Sequence, residues 1–313
     1  MGIKMSDLPD EEILLSGSGA CPGCSAILAL RIVGKALGEN SVAVLTPSCS
    51  VASLGVTPRS VIKIPALNVT FASAGSSATG LSAAYSIMKE KGLRKGEEPT
   101  IFNWVGDGGT YDIGLQAISA AAERNENFIH FCYNNEAYSN TGVQRSGATP
   151  RGCYTTTTPG GKAQTKKNMS LLMLEHNVPY VATATVAYPM DLYEKVKKAK
   201  SMKGFKYIEI FAPCNVGWQF HNSETIEMSR MAVDSGACLL WEAVDGKIEF
   251  SHPTDQLISG KRKLKPVNEY LEKQGRFNKI LKNCSDRDQH ISEIQNDILR
   301  EIKFMKKRAE IVY

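Results

Sequence analysis

The residues best suited to chemistry are cysteines. Cys21-Pro-Gly-Cys24 is a paired-thiol motif on a glycine-rich segment. Cys49 (Pro-Ser-Cys-Ser) and Cys214 (Ala-Pro-Cys-Asn) each follow an apolar run that reads as a strand. All four lie on loops that could converge on one metal centre. Four thiolates suit an iron–sulfur cluster, and they equally suit a tetrahedral zinc ion. The spacing alone leaves both open. The chain has eight cysteines in all. Cys132, inside Phe-Ile-His-Phe-Cys-Tyr, reads as a small buried hydrophobe, as does Cys238. Cys153 and Cys284 receive no role.

A second constellation is built from glycine, aspartate and asparagine. Gly106-Asp107-Gly108-Gly109 leaves an apolar run and enters a helical pattern. Twenty-five residues further on, Asn134-Asn135 again follows a strand-like run. Glycines let backbone approach a diphosphate, and the helix beyond offers free N–H groups and the positive end of its dipole. Mg²⁺ takes oxygen donors in octahedral array, usually one or two from protein and others from phosphate. Asp107 supplies a carboxylate, Asn135 a carboxamide oxygen, and the backbone carbonyl of Ala137 a third donor. The order GDG, a spacer of this length, then Asn is the pattern of thiamine-diphosphate enzymes.

The elements that must position these residues alternate between strand and helix, which predicts an α/β fold with a mainly parallel sheet flanked by helices. The apolar runs predict strands at 42–45, 61–65, 100–105, 128–133, 180–185 and 207–211. Helical spacing predicts helices at 26–37, 77–91, 113–124, 190–199 and 224–233. Residues 134–168 are rich in Gly, Thr, Ser and Pro and have almost no apolar period. A loop this long after a strand is expected to be functional. Beyond residue 236 come two short strands, 238–244 and 247–252, and a charged helix from about 291 to 308. The division predicted is a cofactor-binding domain over 1–236 and a C-terminal extension over 237–313, packed on the domain or on partner subunits.

The bulk composition excludes little else. The chain has 313 residues, 42% hydrophobic and 22% charged, with a formal charge of +5. Its basic residues gather near 195–206, 261–265 and 303–308, which read as solvated helix faces. No nucleic-acid motif accompanies them. The N-terminal residues are acidic and carry no apolar stretch of signal-peptide length. No run approaches a membrane span. A cytoplasmic location is expected, where disulfides are disfavoured. Of the histidines, His130, His176 and His221 read as structural, although His221 could come near Cys214.

Taken together, these residues resemble the β subunit of the pyruvate:ferredoxin oxidoreductases, within the 2-oxoacid:ferredoxin oxidoreductase family. The resemblance runs over about residues 16–277. It rests on Ala20-Cys-Pro-Gly-Cys24, Gly106-Asp-Gly-Gly-Thr-Tyr-Asp-Ile-Gly114, Asn134-Asn-Glu-Ala-Tyr-Ser-Asn-Thr-Gly-Val-Gln144, Ala212-Pro-Cys214 and Lys265-Pro-Val-Asn-Glu-Tyr-Leu-Glu-Lys-Gln-Gly-Arg-Phe277. It implies a thiamine-diphosphate-binding fold. It implies that Cys21, Cys24, Cys49 and Cys214 bind a [4Fe–4S] cluster rather than zinc. Asp107, Asn135 and the Ala137 carbonyl would then hold Mg²⁺, and Asn140 would reach the reacting side of the cofactor. Ser18 departs from the pattern, because family members often carry histidine there.

The resemblance also implies the reaction. The cofactor's carbanion adds to a 2-oxoacid, CO₂ leaves, electrons pass singly through iron–sulfur clusters, and CoA takes the acyl group. No glutamate here has a motif that nominates it for cofactor activation. By resemblance that residue belongs to an α subunit, with γ and δ subunits or fused equivalents supplying a CoA site and further clusters on the way to ferredoxin. The polypeptide alone is therefore expected to be inactive. The loop 146–167, with threonines at 155–158, resembles that of pyruvate-type members, and this resemblance implies pyruvate as substrate over oxalate, 2-oxoglutarate, branched-chain or aryl 2-oxoacids. From other classes, a non-redox thiamine-dependent enzyme with a zinc site and an electron-relay subunit with a vestigial GDG motif are the alternatives.

Overall fold

The computed structural model describes residues 5–56, 58–282 and 285–311. Cys284 lies outside them. The strands are β1 (Ser41–Leu45), β2 (Ala66–Asn68), β3 (Thr100–Gly106), β4 (Ile129–Asn134), β5 (Tyr180–Thr185), β6 (Lys206–Phe211), β7 (Trp241–Val244) and β8 (Lys247–Phe250). The helices are α1 (Ser25–Leu37), α2 (Cys49–Leu54), α3 (Ala74–Glu90), α4 (Leu115–Glu123), α5 (Met169–Leu174), α6 (Pro189–Ser201), α7 (Asn215–Trp218), α8 (Thr225–Asp234), α9 (His252–Ile258), α10 (Val267–Glu272), α11 (Asn278–Lys282) and α12 (Arg287–Ala309).

All eight strands form one sheet in the order β2-β1-β3-β4-β6-β5-β7-β8. The first six are parallel, and β7 and β8 add antiparallel. Alternation along each strand sends side chains to two apolar layers. Phe102, Trp104, Phe131 and Tyr133 meet Leu30 and Val33 of α1 and Leu192 and Val196 of α6. Val44, Ile101, Cys132 and Tyr207 meet Ile118 of α4 and Met173 of α5 on the other face. Cys132 is thus the buried apolar side chain expected of it. A third cluster, around Trp218, Met228, Tyr270, Phe277 and Ile298, joins the C-terminal helices to the loops.

One expected strand is displaced. Residues 61–64 do not join the sheet: Leu15 N–H donates to the Val61 carbonyl at 2.7 Å and Lys63 N–H to that of Ile13 at 2.8 Å. The N-terminal segment captures the run, and pairing to β1 begins only after Pro65, whose carbonyl accepts from Ala43 N–H. Asp245 and Gly246, both at positive φ, turn β7 into β8, the Asp-Gly chemistry that tight hairpins require.

The topology decides where the chemistry can sit. Because β1, β3, β4 and β6 run parallel, their carboxyl ends share one rim. Cys49, Asp107, Asn135 and Cys214 each come within four residues of those ends. Among the described residues no helix is long and apolar enough to cross a membrane.

Candidate active site

Three of the four cysteines begin helices. Cys24 caps α1, Cys214 caps α7, and Cys49 is the first residue of α2. Unpaired N–H groups there favour a thiolate. The Gly217 N–H points at Cys214 Sγ, 3.3 Å away, and the Ala26 and Ile27 amides act on Cys24. The Cys21–Cys24 turn is stitched to the Cys214 loop: Ser25 Oγ donates to the Pro213 carbonyl at 2.8 Å and Asn215 Nδ2 to that of Pro22 at 3.2 Å. Gly23 has φ +75°, and a Cβ there would lie 2.2 Å from the Asn222 carbonyl oxygen. Only glycine fits.

The thiols share one field. Burial first, then the charges of Cys214, Cys24 and Cys21, pushes the Cys49 thiol up to about 12. Cys24 is raised by burial as well, with Cys214 and Cys21 contributing. Cys21 is exposed and the other three are half-buried. Among the described residues, no three His, Cys, Asp or Glu side chains are close enough to hold a single metal ion.

The second constellation forms where β3 and β4 end. Asp107 is buried directly after β3, and residues Gly108–Ile113 make a wide π-helical turn into α4, a distortion common at functional sites. A Cβ on Gly108 would meet the Tyr138 ring at 2.2 Å, and one on Gly109 would meet Val105 at 2.6 Å. The glycines let the turn pack this closely against Tyr138 and Val105.

The Asn135 carboxamide oxygen lies 3.1 Å from Asp107 Oδ1 and 2.7 Å from the Ala137 carbonyl oxygen. With the carboxamide turned over, its nitrogen donates to both. In the first orientation oxygens of Asp107, Asn135 and Ala137 converge, a donor set that could hold Mg²⁺; in the second the carboxamide holds the other two oxygens together by hydrogen bonds. Asp107 is pushed up to about 8 by burial, opposed by the Ser146 hydroxyl and the Asn135 N–H, while the Glu136 charge adds to the rise. A buried carboxylate held this way calls for a cation.

One cleft of about 80 Å³ brings Cys49 beside the second constellation. Its walls include Cys49, Asp107, Gly108, Asn135 and Asn140. Ligand pockets for cofactor-sized molecules run to about 300 Å³ and above, so this cleft is only part of one. Cys21 and Cys24 line a separate groove, with Ser18.

Several residues act here that spacing did not reveal. His130, neutral because burial pushes it down to about 3, lies 3.1 Å from Thr110 Oγ1 on the π-helical turn. Glu209 of β6 accepts from Tyr111 and from Asn134 at 2.7 and 2.8 Å, tying the two motif loops together. His176 lies 2.8 Å from Ser119 Oγ, and His221 caps the turn before α8. Both are structural.

Residues 49–210 match the family model described as thiamine pyrophosphate enzyme, C-terminal TPP binding domain. The pyruvate synthase subunit PorB of Methanothermobacter thermautotrophicus is 40% identical over 95% of this chain and 99% of its own. The ketoisovalerate oxidoreductase subunit VorB of Pyrococcus abyssi is also 40% identical, over 97% of this chain and 96% of its own. The fold is similar to that of the 2-oxoglutarate:ferredoxin oxidoreductase from Magnetococcus marinus, with a TM-score of 0.56 at 22% identity over 73% of this chain and 80% of that one.

Proposed function

The chain belongs to the 2-oxoacid:ferredoxin oxidoreductase family, as a β subunit with a thiamine-pyrophosphate-binding domain, and on that premise we propose that its substrate is pyruvate. It is one subunit of a multi-subunit oxidoreductase. The reaction is CoA-dependent oxidative decarboxylation to acetyl-CoA and CO₂, or its reverse, with electrons delivered to ferredoxin. The observation that carries the reading is the cleft itself: Cys49 forms a wall of the same cleft as Asp107 and Asn135.

When bound, thiamine diphosphate supplies the electron sink for loss of CO₂, and a [4Fe–4S] cluster accepts the electrons singly. Asp107, Asn135 and the Ala137 carbonyl hold Mg²⁺. The backbone over 106–109, nearly bare of side chains, lies against the diphosphate. Asn140, exposed at the mouth of the cleft, orients substrate. Cys21, Cys24, Cys49 and Cys214 hold the cluster, with helix-end amides offsetting thiolate charge. The family to which the chain belongs favours a cluster over zinc at these cysteines.

The small cleft supports a partner α subunit across it, with γ and δ subunits (or fused equivalents) supplying CoA binding and onward electron transfer. Residues 1–236 are the cofactor domain, and 237–313 are an extension that packs on it or on partner subunits. The complex works in the cytoplasm. A branched-chain 2-oxoacid is the second reading, because the ketoisovalerate relative is as similar as the pyruvate one.

The test is an anaerobic assay of iron, sulfide and thiamine on the native complex, then electron paramagnetic resonance after adding pyruvate or ketoisovalerate with CoA. Four irons in this chain and one thiamine diphosphate, with clusters reduced by pyruvate, are expected. Reduction by ketoisovalerate alone removes the substrate assignment; zinc in place of iron removes the redox reading.

A further inference from the structure

Trp218 and Arg276 belong to neither donor set, yet both are almost fully buried beside them, 1% and 2% exposed. Trp218 touches both sites. Its backbone N–H donates to the Cys214 carbonyl at 2.8 Å. Its indole Nε1–H donates to the carbonyl of Asn135, also at 2.8 Å. Apolar packing against Phe211 accounts for burial of the ring. It does not account for the ring's one polar atom ending on the backbone of a metal-donor residue.

Arg276 secures the other side. Its guanidinium carbon lies 3.5 Å from the centre of the Trp218 ring, and its Nη2 is 2.7 Å from Glu136 Oε2. Glu136 stands between Asn135 and Ala137, the two donors from this loop, and has φ +63°. A residue with a long side chain keeps that left-handed conformation only where its surroundings hold it. The planar guanidinium can stack and pair at once, which lysine cannot do.

We propose that Trp218 and Arg276 form a positioning clamp that couples the two sites, holding the metal-donor turn 135–137 in register with the Cys214 loop. The clamp rests on the functional reading above. It makes a disturbance of the metal turn felt at the cluster, and the reverse, without either residue touching substrate.

The test uses the purified complex. Trp218→Phe keeps an aromatic ring and removes the indole donor. It is expected to raise the Mg²⁺ concentration for half-maximal thiamine diphosphate binding about tenfold, the loss of one buried hydrogen bond, and to change the paramagnetic signal of the cluster in this chain. Arg276→Lys keeps the charge opposite Glu136 and is expected to move both readouts in the same direction, less far. In the wild type, chelating Mg²⁺ is expected to alter that same signal, a measurement that needs no variant to fold. An unaltered signal overturns the clamp, as does a folded Trp218→Phe complex in which only one site changes. A wild type lacking either the cluster or Mg²⁺-dependent cofactor binding overturns the functional reading, and the clamp with it.

Discussion

Replacing Asp107 by asparagine should stabilise the metal-free protein while removing its ability to hold the cofactor. Burial pushes this carboxyl from an ordinary 3.8 up to about 8. The folded state therefore binds a proton that the unfolded chain has already released. Stability from this group is fully present below about pH 4, is lost as pH rises, and reaches its floor above about 8. At pH 7 the gap is about three pH units, or roughly 4 kcal/mol at most. A carboxamide at this position would carry no such cost. Its oxygen still accepts from the Asn135 N–H, and the Ser146 hydroxyl can turn to accept from its nitrogen. The assay is urea unfolding of the chain in chelator at pH 5 and pH 8. The wild type should lose stability across that interval, the Asp107→Asn variant should not, and at pH 8 the variant should be the more stable. In the assembled complex, added Mg²⁺ and thiamine diphosphate should protect the wild type and not the variant. A variant less stable than wild type at pH 8 in chelator would refute the reasoning, since it would mean the carboxylate is already compensated by protein groups.

Gly108→Ala places a methyl against the Tyr138 ring and displaces the hydroxyl that donates to the Gly108 carbonyl at 3.0 Å. Thiamine diphosphate affinity should fall at least tenfold by equilibrium dialysis, with the fold retained by circular dichroism. Cys214→Ser should strip iron from this chain in an anaerobic metal assay, whereas Cys132→Ala should leave iron content intact and cost about 1–2 kcal/mol in unfolding for the small void left behind. The chain purified alone should show no pyruvate-dependent reduction of a viologen dye, and recombining it with its partner subunits should restore that activity.

The approach of Asp107 to Asn135 was legible because both sit directly beyond strands, where a motif and its spacing survive translation into space. Asp107 follows β3, and Asn135 follows β4. The groups that hold these two loops in place were not legible. Ser146 reaches Asp107 from 39 positions away and Arg276 reaches Glu136 from 140; no local pattern records such pairings. The long helices and all but one of the predicted strands were legible from apolar residues that the core buries. The helices of six residues or fewer, such as α2, α5 and α7, are too short to display one. The run 61–64 has strand character but spends it on the N-terminal segment, a choice between two partners that composition cannot make.

The ends of the sheet limit how this subunit can assemble. At one margin β2 offers only three residues. At the other, β8 presents Lys247 and Glu249, 78% and 61% exposed at the side chain. Short strands and outward charge both deter pairing with another chain. Neither margin is fit to continue a ladder into a neighbouring molecule. Such margins favour association through helices and through the rim loops. With a partner subunit across the cofactor cleft, as proposed above, joining the complex and completing the catalytic centre would become a single event.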